Sequence, residues 1–283
     1  MKTETVLITG AASGIGLALA REFAKHGHDL ILTSRVDSEL TDVAAELTSK
    51  YQIDVGTLAA DLEQPDAPKQ LFDSIQQEGM EIDILVNNAG LGYRGNFWEI
   101  PLENQISILR VNIEAVVRLS YLFLPQMINR NSGRLLNTAS VAGFEPGPLL
   151  AVYHASKAFV LSFTEALAVE LEDTKITVTA LCPGATDTDF FPKAGMLETK
   201  AFQKGPVMAP REVAELGYKA LMRGDHTVVA GGANKAMVFA RRFMTEGAQA
   251  KMNKKFYEPA KPGQQKRNRG DIERKAEEKE LSE

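Results

Sequence analysis

Two side chains that could transfer a proton, Tyr153 and Lys157, are spaced i, i+4 in the sequence YHASK. On a helix this spacing places them side by side on one face. A free tyrosine, with a pKa of about 10, is a poor acid–base catalyst at neutral pH, but a neighbouring ammonium stabilises the phenolate and lowers that pKa. The pair could therefore exchange a proton with a substrate oxygen. A packed tyrosine beside an exposed lysine is the alternative, which the pair alone does not exclude.

Other kinds of catalytic site find little support in the chain. Ser13 does not stand in the Gly-x-Ser-x-Gly turn of an activated serine. The four histidines have no metal-ligand spacing, and the single cysteine, Cys182, excludes a disulfide framework and a multi-cysteine metal site. We expect His154 to point away from the tyrosine–lysine face, and Asp187 and Asp189 to be solvated. We therefore predict no metal site.

The composition is that of an ordinary globular protein. The 283 residues are 44% hydrophobic and 24% charged, which is enough for a large core in one or two domains. A formal net charge of -5 offers no general surface for nucleic acid or an anionic membrane. The segment MKTETVLITG lacks the pattern of a signal peptide, and no apolar stretch approaches the roughly 20 residues of a membrane span. These observations predict a cytoplasmic protein without a nucleic-acid partner.

Short apolar segments alternate with longer helical patterns along most of the chain. The seven predicted strands lie within residues 6–8, 30–32, 55–59, 82–86, 134–137, 176–181 and 227–230. This alternation predicts an α/β fold: a single doubly wound Rossmann domain with a mostly parallel seven-stranded sheet and helices on both faces. We assign the domain to residues 1–257, with a lid loop at about 185–210. The polar residues 258–283 predict a tail that is mobile or packed on a partner.

A glycine-rich turn, TGAASGIG, follows the first strand directly. Gly10, Gly14 and Gly16 would permit a tight turn, close approach of the backbone to a pyrophosphate and close packing of the next helix on the sheet. The pyrophosphate would lie at the positive end of that helix, beside Ser13 and Ile15. The spacing is G-x-x-x-G-x-G rather than the commoner G-x-G-x-x-G, and a ligand-free turn is the alternative.

The end of the second strand indicates which dinucleotide would bind. Dinucleotide folds place an acid there for the ribose 2′-hydroxyl, or an arginine for a 2′-phosphate. Here Arg35 follows the strand with no acid at its end, which favours NADP(H) and leaves NAD(H) possible. The alternative is a surface ion pair of Arg35 with Asp37 or Glu39. Asp61, followed by Leu62, could accept a hydrogen bond from the adenine amino group, and a solvated acid is an equally simple explanation.

The carboxyl ends of parallel strands meet at one edge of a sheet, which brings the remaining polar strand ends together there. With them, the chain resembles the classical short-chain dehydrogenase/reductase family over residues 3–231. The matching motifs occur in the family's order and at its spacings: Thr9-Gly10-x-x-x-Gly14-Ile15-Gly16, Asn87-Asn88-Ala89-Gly90, Asn112, Ser140, Tyr153-x-x-x-Lys157 and Pro183-Gly184. Each motif is weak alone, whereas the set is specific.

The resemblance implies catalytic roles for four residues. Tyr153 would be the general acid/base, Ser140 would orient the substrate oxygen, and Lys157 would bind the nicotinamide ribose and lower the tyrosine pKa. Asn112 would lie at a helix distortion and hold a water of the proton relay. A mid-helix polar residue with a packing partner is the alternative for Asn112. The cofactor would carry the hydride.

The resemblance also implies further cofactor contacts. The residues after the fourth strand would stabilise the sheet and touch the cofactor ribose: Asn88, Ala89 and Gly90. The residues after the sixth strand would approach the nicotinamide: Pro183, Gly184, Thr186 and Thr188. Thr186 stands where the family usually has an apolar residue, which weakens the expectation for that contact.

The substrate pocket is expected between residues 92–97, 142–150 and 189–205. Its candidate lining residues are largely apolar and stand around Ser140: Tyr93, Phe97, Phe144, Leu149, Leu150, Phe190, Phe191 and Met196. Some of them could instead pack internally. The set predicts a small hydrophobic carbonyl or alcohol, such as an acyl, steroid-like, retinoid-like or aromatic ketone.

Two classes of function remain. The favoured one is an NADP(H)-dependent oxidoreductase that interconverts a hydrophobic ketone or aldehyde and its alcohol. The alternative is a non-enzymatic dinucleotide-binding or sensing protein, which would not need a complete serine, tyrosine and lysine set. The long apolar helices predicted over 102–129 and 151–172 resemble those that pair between subunits in the family, so we expect a homodimer or homotetramer. The basic, amphipathic segment 234–256 makes membrane association a minor alternative.

Overall fold

In a computed structural model, the chain forms one seven-stranded sheet in which every strand is parallel to its neighbours. The structure describes residues 3–282, with the side chains of 277 and 279–282 outside that description, so the predicted segments 1–257 and 258–283 extend beyond it. In chain order, the strands are β1 (Thr5–Thr9), β2 (Asp29–Ser34), β3 (Val55–Ala59), β4 (Ile84–Asn87), β5 (Gly133–Thr138), β6 (Ile176–Cys182) and β7 (Thr227–Val229).

The strand order is β3-β2-β1-β4-β5-β6-β7, so the chain builds outward from β1 and then returns to the other side of that strand. This is a doubly wound sheet, and it confirms the predicted Rossmann-type α/β fold. The reversal of direction falls between β1 and β4. In such sheets a crevice opens at the carboxyl ends of the strands where the order reverses, and ligands bind there.

Helices cover both faces of the sheet. Neighbouring residues of a strand point to opposite faces, so Val6 and Ile8 contribute to one apolar core and Leu7 to the other. In chain order, the helices are α1 (Gly14–Lys25), α2 (Asp37–Tyr51), α3 (Ala67–Gln77), α4 (Leu102–Leu109), α5 (Ala115–Arg130), α6 (Ala151–Glu170), α7 (Phe190–Lys193), α8 (Lys200–Lys204), α9 (Pro210–Arg223), α10 (Gly232–Arg241), α11 (Glu246–Tyr257) and α12 (Asp271–Ser282). Within residues 3–282, none of them combines the length and the apolar character needed to cross a membrane.

The helix predicted over 102–129 is interrupted. A π turn at Arg110–Glu114 separates α4 from α5, and Asn112 lies in its middle. A π turn widens the helix locally and releases backbone groups from the regular pattern, which is frequent at functional sites. The structure therefore contains the helix distortion that the family resemblance implies at Asn112.

The predicted lid, residues 185–210, contains α7 and α8, and a parallel bridge between Thr186 and Met208 joins its two ends. Residues 259–272 fold back onto it. The fully buried Asp187 carboxylate accepts hydrogen bonds from the backbone N–H groups of Gly270 and Ile272, both at 2.9 Å. The expectation that Asp187 is solvated is therefore wrong, because the start of α12 covers it. Several residues of the predicted tail thus contact the lid of their own chain, among them Pro259, Arg267 and Arg269. That the tail is mobile or packed on a partner stays a prediction.

Candidate active site

The loop between β1 and α1 is built around glycine. Gly10 and Gly14 have φ of 66° and 57°, in the left-handed region that glycine adopts most easily. A Cβ on Gly16 would lie 2.1 Å from the Gly10 carbonyl oxygen, so this glycine lets α1 pack against the loop. No side chain caps the N-terminus of α1, which leaves its first N–H groups for a ligand. The loop therefore fits a pyrophosphate.

A cavity of about 640 Å³ runs along the carboxyl edge of the sheet. Arg35 and Asp61 line it after β2 and β3, and Ser140 and Tyr153 line it after β5 and on α6. Most of the predicted cofactor residues also line it: Gly10, Ser13, Gly14, Ile15, Leu62, Asn88, Ala89, Gly90, Lys157, Pro183, Gly184, Thr186 and Thr188. Gly16 and Asn112 do not line the cavity. Gly16 packs against the loop that does, and Asn112 forms hydrogen bonds with residues next to it.

Thr9 and Asn88 join the ends of β1 and β4 beneath the cavity. The Thr9 Oγ1 atom accepts hydrogen bonds from the backbone N–H groups of Asn88 at 2.9 Å and Ala89 at 3.0 Å. The Asn88 amide in turn donates to the Thr9 carbonyl oxygen at 3.0 Å. These bonds fix the strand ends across the reversal point, so the floor of the cavity is rigid.

Arg35 lies at the outer end of the cavity with its side chain 57% exposed. Its Nη1 atom lies 3.0 Å from Glu63 Oε1, so the arginine pairs with neither of the acids expected from the sequence. Glu63 also accepts a hydrogen bond from Ser107 Oγ at 2.6 Å. Asp61 Oδ1 accepts from the Glu63 backbone N–H at 3.1 Å, and this bond stabilises the turn after β3. Glu63 was not predicted, because only the fold brings it to Arg35.

The proposed catalytic residues converge at the inner end of the cavity. Helix α6 presents Tyr153 and Lys157, and Ser140 follows β5. The Lys157 Nζ atom donates to the Thr138 carbonyl oxygen at 2.7 Å and lies 5.9 Å from the centre of the Tyr153 ring. Ser140 Oγ accepts from the Ala142 N–H at 3.1 Å, which orients the hydroxyl. The structure thus brings the three predicted side chains together.

Burial shifts the pKa of both residues on α6. It raises the pKa of Tyr153 to about 12, and the nearby Ser140 hydroxyl offsets this only in part. It lowers the pKa of Lys157 to about 8. Both shifts disfavour the charged form, as expected for groups removed from water. The predicted lowering of the tyrosine pKa is therefore not observed: the lysine ammonium is held by the Thr138 carbonyl, and burial dominates at the phenol.

Asn112 connects the π turn to the loop that follows β4. Its Oδ1 atom accepts from the Leu91 N–H at 2.8 Å, and its Nδ2 atom donates to the Leu91 carbonyl oxygen at 3.0 Å. The same Nδ2 atom donates to Ser156 Oγ at 2.9 Å, on α6. Packing partners, which were the alternative explanation for Asn112, are thus present together with the helix distortion. Its part in a proton relay stays a prediction.

The substrate side of the cavity includes some of the predicted residues and not others. Tyr93 and Phe190 line it, and the Phe190 ring centre lies 5.2 Å from that of Tyr153. Phe144 does not line the cavity, because it packs against a separate core cluster that includes Val116 and Val160. Leu149, with a left-handed φ of 70°, packs among the lid residues instead. Leu150, Phe191 and Met196 line the cavity, whereas Phe97 is exposed.

The C-terminal helices contribute cavity residues that the sequence did not indicate. Tyr257 ends α11, and its hydroxyl lies 2.9 Å from Nε2 of His154. Arg241 of α10 forms a buried ion pair with Glu145. The amphipathic pattern over 234–256 was the only local signal, and it stops one residue before Tyr257. The partners of Tyr257 and Arg241, which are His154 and Glu145, lie about a hundred residues earlier in the chain. No local sequence motif therefore links these residues.

We expect the replacement Lys157→Met to remove a pH-dependent part of the stability. The folded pKa of Lys157, about 8, lies below its ordinary value of 10.5. Between these values the unfolded chain binds more protons, so rising pH favours the folded state of the wild type. Relative to Lys157→Met, the wild type should therefore gain about 2 kcal/mol of unfolding free energy between about pH 7.5 and 9.5. Urea unfolding at both pH values measures this, and a constant difference would contradict it.

Comparison with known proteins agrees with the fold and the family resemblance. Residues 4–197 match the family described as short chain dehydrogenase. The NADP-dependent 3-hydroxy acid dehydrogenase of Schizosaccharomyces pombe is 31% identical over 246 residues, which cover 82% of this chain and 95% of that protein.

Two solved structures are also similar. A short-chain dehydrogenase from Sphingobium yanoikuyae in complex with NADPH has a TM-score of 0.75 and 32% identity, covering 84% of this chain and 94% of its own. A short-chain dehydrogenase/reductase from Burkholderia phymatum in complex with NAD has a TM-score of 0.79 and 25% identity, covering 92% and 98%. Because the family matches most of the chain and its motifs meet in one cavity, this protein belongs to the short-chain dehydrogenase/reductase family of oxidoreductases.

Proposed function

We propose that the protein is an NADP(H)-dependent oxidoreductase that interconverts a hydrophobic ketone or aldehyde and its alcohol. The observation that carries the proposal is the convergence of Ser140, Tyr153 and Lys157 in the same cavity as the uncapped N-terminus of α1 and Arg35. One end of the cavity fits a phosphorylated dinucleotide and the other fits acid–base chemistry on a carbonyl. The nicotinamide, when bound, supplies or accepts the hydride.

In the direction of reduction, Ser140 orients the carbonyl oxygen and Tyr153 gives it a proton. A phenol with a pKa of about 12 is protonated at neutral pH and is still a stronger acid than an alcohol, so proton transfer to the developing alkoxide is downhill. Lys157 faces the phenolate as it forms and stabilises it, which offsets the cost of a charge in a buried site. Asn112 positions the Leu91 backbone and α6 behind them.

The lining of the inner cavity supports a hydrophobic substrate. Tyr93, Leu150, Phe190, Phe191 and Met196 form an apolar wall beside Tyr153. A Cβ on Gly92 would lie 2.6 Å from the Phe190 ring, so this glycine lets the aromatic ring close over the tyrosine. An apolar pocket with a few polar groups at one end is the usual form of a small-molecule site.

The outer end of the cavity supports NADP(H) as the preferred cofactor. Arg35 already binds the Glu63 carboxylate there, so it is placed to bind an anionic group at the cavity wall. A 2′-phosphate carries more charge than a carboxylate and would take over the arginine. The NADP-dependent relative and the NADPH-bound neighbour support this preference, and the NAD-bound neighbour supports NAD(H) as a second cofactor.

A panel of hydrophobic ketones, aldehydes and alcohols, followed by NADPH absorbance, tests the activity. We expect turnover of at least one apolar carbonyl and greater thermal stabilisation by NADPH than by NADH. Stabilisation by NADPH without turnover of any panel member would instead favour the non-enzymatic dinucleotide-binding alternative. No similarity described above supports that alternative, since the named relative and neighbours are dehydrogenases.

Arg35→Ala should raise the KM for NADPH by about 10- to 100-fold, because a charge-assisted hydrogen bond to the 2′-phosphate is lost. The KM for NADH should change by less than about threefold. Glu63→Gln should lower the KM for NADPH, since it removes the acid that competes for Arg35. Arg223→Ala is the matched control, because Arg223 forms an exposed ion pair with Asp225 and neither residue lines the cavity. Equal effects of Arg35→Ala on both cofactors would remove Arg35 from the phosphate site.

The outer surfaces of α4, α5 and α6 support a homodimer or homotetramer. Leu102, Tyr121, Phe159 and Val169 are all exposed there. Exposed apolar patches of this kind on helix faces mark interaction sites. We infer that a second copy of the chain covers these helices.

A further inference from the structure

We propose that Tyr257 is a specificity-determining residue whose phenol oxygen accepts a hydrogen bond from a donor group on the substrate, beside the reacting carbonyl. The inference deepens the proposed function and rests on it. It predicts that the natural substrate is a ketone or alcohol with a neighbouring hydroxyl or similar donor. A purely apolar substrate would leave the Tyr257 oxygen without a partner in the cavity.

The direction of the hydrogen bonds around His154 carries the first step. The Nδ1 atom lies 2.9 Å from the Glu145 backbone carbonyl oxygen, which can only accept. Nδ1 must therefore hold the imidazole proton and donate it. Burial lowers the pKa of His154 to about 4, so the ring is neutral at neutral pH and has one proton. Its Nε2 atom is then an acceptor.

The second step concerns the hydroxyl of Tyr257, which lies 2.9 Å from that Nε2 atom. Because Nε2 accepts, the hydroxyl donates its only proton to the histidine, and lone pairs alone remain on the phenol oxygen. Among the residues that the structure describes, His154 is the one hydrogen-bond partner of this hydroxyl. Tyr257 is 9% exposed and lines the same cavity as Tyr153. Burial and the neighbouring Tyr153 phenol both raise the pKa of Tyr257, so it stays protonated.

The third step is the rigidity of this acceptor. Arg94 Nε donates to the Tyr257 carbonyl oxygen at 2.7 Å, and Asn253 on the same helix donates to the Pro146 carbonyl oxygen at 2.8 Å. A Cβ on Gly147 would lie 2.0 Å from the His154 ring, so the ring is closely packed. The phenol oxygen is thus held in place before a substrate arrives. A buried acceptor left unpaired is costly, which penalises substrates without a donor.

A matched pair of ketones tests the proposal with the NADPH-loaded enzyme: 2-hydroxyacetophenone, which has a donor beside the carbonyl, and acetophenone, which has none. For Tyr257→Phe we expect kcat/KM for the hydroxyketone to fall by about 3- to 10-fold, mainly through KM. The value for acetophenone should change less. Thermal unfolding and NADPH affinity establish that the variant is folded. An unchanged ratio of the two ketones would overturn the proposal.

Tyr218→Phe is the matched control. Tyr218 also has a hydroxyl bonded to a histidine, with 3.2 Å to His28 Nε2, but it is on α9, packs against Phe23 of α1 and does not line the cavity. The ketone ratio should be the same in this variant as in the wild type. A shift of the ratio equal to that of Tyr257→Phe would mean that the effect is a general one on stability, and this too would overturn the proposal.

A second variant, His154→Leu, tests the direction of the hydrogen bond. Without the histidine acceptor, the Tyr257 proton is free to face the substrate, so the ratio should shift toward acetophenone. If the wild type reduces neither ketone, calorimetric titration of both into the NADP⁺-loaded protein gives the same ratio as dissociation constants. Absence of turnover would then count against the proposed function alone. Equal dissociation-constant ratios in wild type and Tyr257→Phe would count against Tyr257.

Discussion

Tyr153→Phe should lower kcat for carbonyl reduction by about 10²- to 10⁴-fold, the usual contribution of a positioned general acid. The substitution removes the phenolic proton and keeps the ring. The ring packs against Phe190 at 5.2 Å between centres, so the cavity should keep its shape. NADPH affinity should therefore change by less than about threefold. Steady-state kinetics with NADPH and a titration of cofactor binding measure the two effects separately.

Tyr51→Phe is the control for this experiment, since Tyr51 ends α2 and lies outside the cavity. It should leave both quantities unchanged. Turnover by Tyr153→Phe at the wild-type rate would remove Tyr153 from the mechanism. A parallel loss of NADPH binding would instead assign the tyrosine to the cofactor site rather than to proton transfer.

Gly16→Ala should lower cofactor affinity by at least about 100-fold and destabilise the fold by about 3 kcal/mol. A Cβ at this position would lie 2.1 Å from the Gly10 carbonyl oxygen and 2.6 Å from Asn88 Nδ2. The first of these atoms belongs to the backbone and cannot move aside alone. The loop must therefore shift away from α1, which carries the N–H groups meant for the pyrophosphate. Urea unfolding and NADPH titration measure the two losses.

Gly247→Ala provides the matched control for that substitution. Nothing lies within 4 Å of a Cβ at Gly247, which is in the first turn of α11. It should be neutral or slightly stabilising, because alanine favours a helix more than glycine. If Gly16→Ala bound NADPH as the wild type does, the close packing of α1 on the loop would not be needed for the cofactor site.

The parts of the site that the sequence could predict are those set by local pattern and strand order. Gly10, Arg35, Ser140 and the pair on α6 each follow a recognisable strand or share a helix face. A parallel sheet then brings strand ends to one edge whatever the details of packing. For this reason the Rossmann fold and the meeting of these residues agree with the prediction, as does the family.

The parts that were missed depend on contacts between distant segments. Phe144 and Leu149 lie in the expected stretch of chain but do not line the cavity: Phe144 packs into a separate cluster, and Leu149 packs among the lid residues behind the cavity wall. Glu63 reaches Arg35 only because β2 and β3 are neighbours. Tyr257 meets His154 only after α11 folds across the site. Apolar or polar character alone does not encode such pairings.

The pKa of Tyr153 illustrates the same limit. The i, i+4 spacing correctly places a lysine beside it, and from spacing alone the ammonium should stabilise the phenolate. The structure adds that the ammonium donates to Thr138 and that both groups are buried. The burial of Tyr153 and Lys157 depends on the whole cavity wall, including the lid and α11. A five-residue motif does not predict how such distant segments pack.

The interior position of β1 in the sheet affects how the chain acquires its structure. β1 precedes the other six strands of the sheet, and it pairs Thr5 with Asp29 of β2 but Val6 with the much later Ile84 of β4. Pairing across a long stretch of chain is slow, because the entropy of closing the loop is lost before the contacts form. As the chain emerges from the ribosome, β1–β3 can therefore assemble with one flank of β1 still bare. That flank is an open strand edge until β4 covers it, and an open edge exposes the nascent protein to aggregation during that interval.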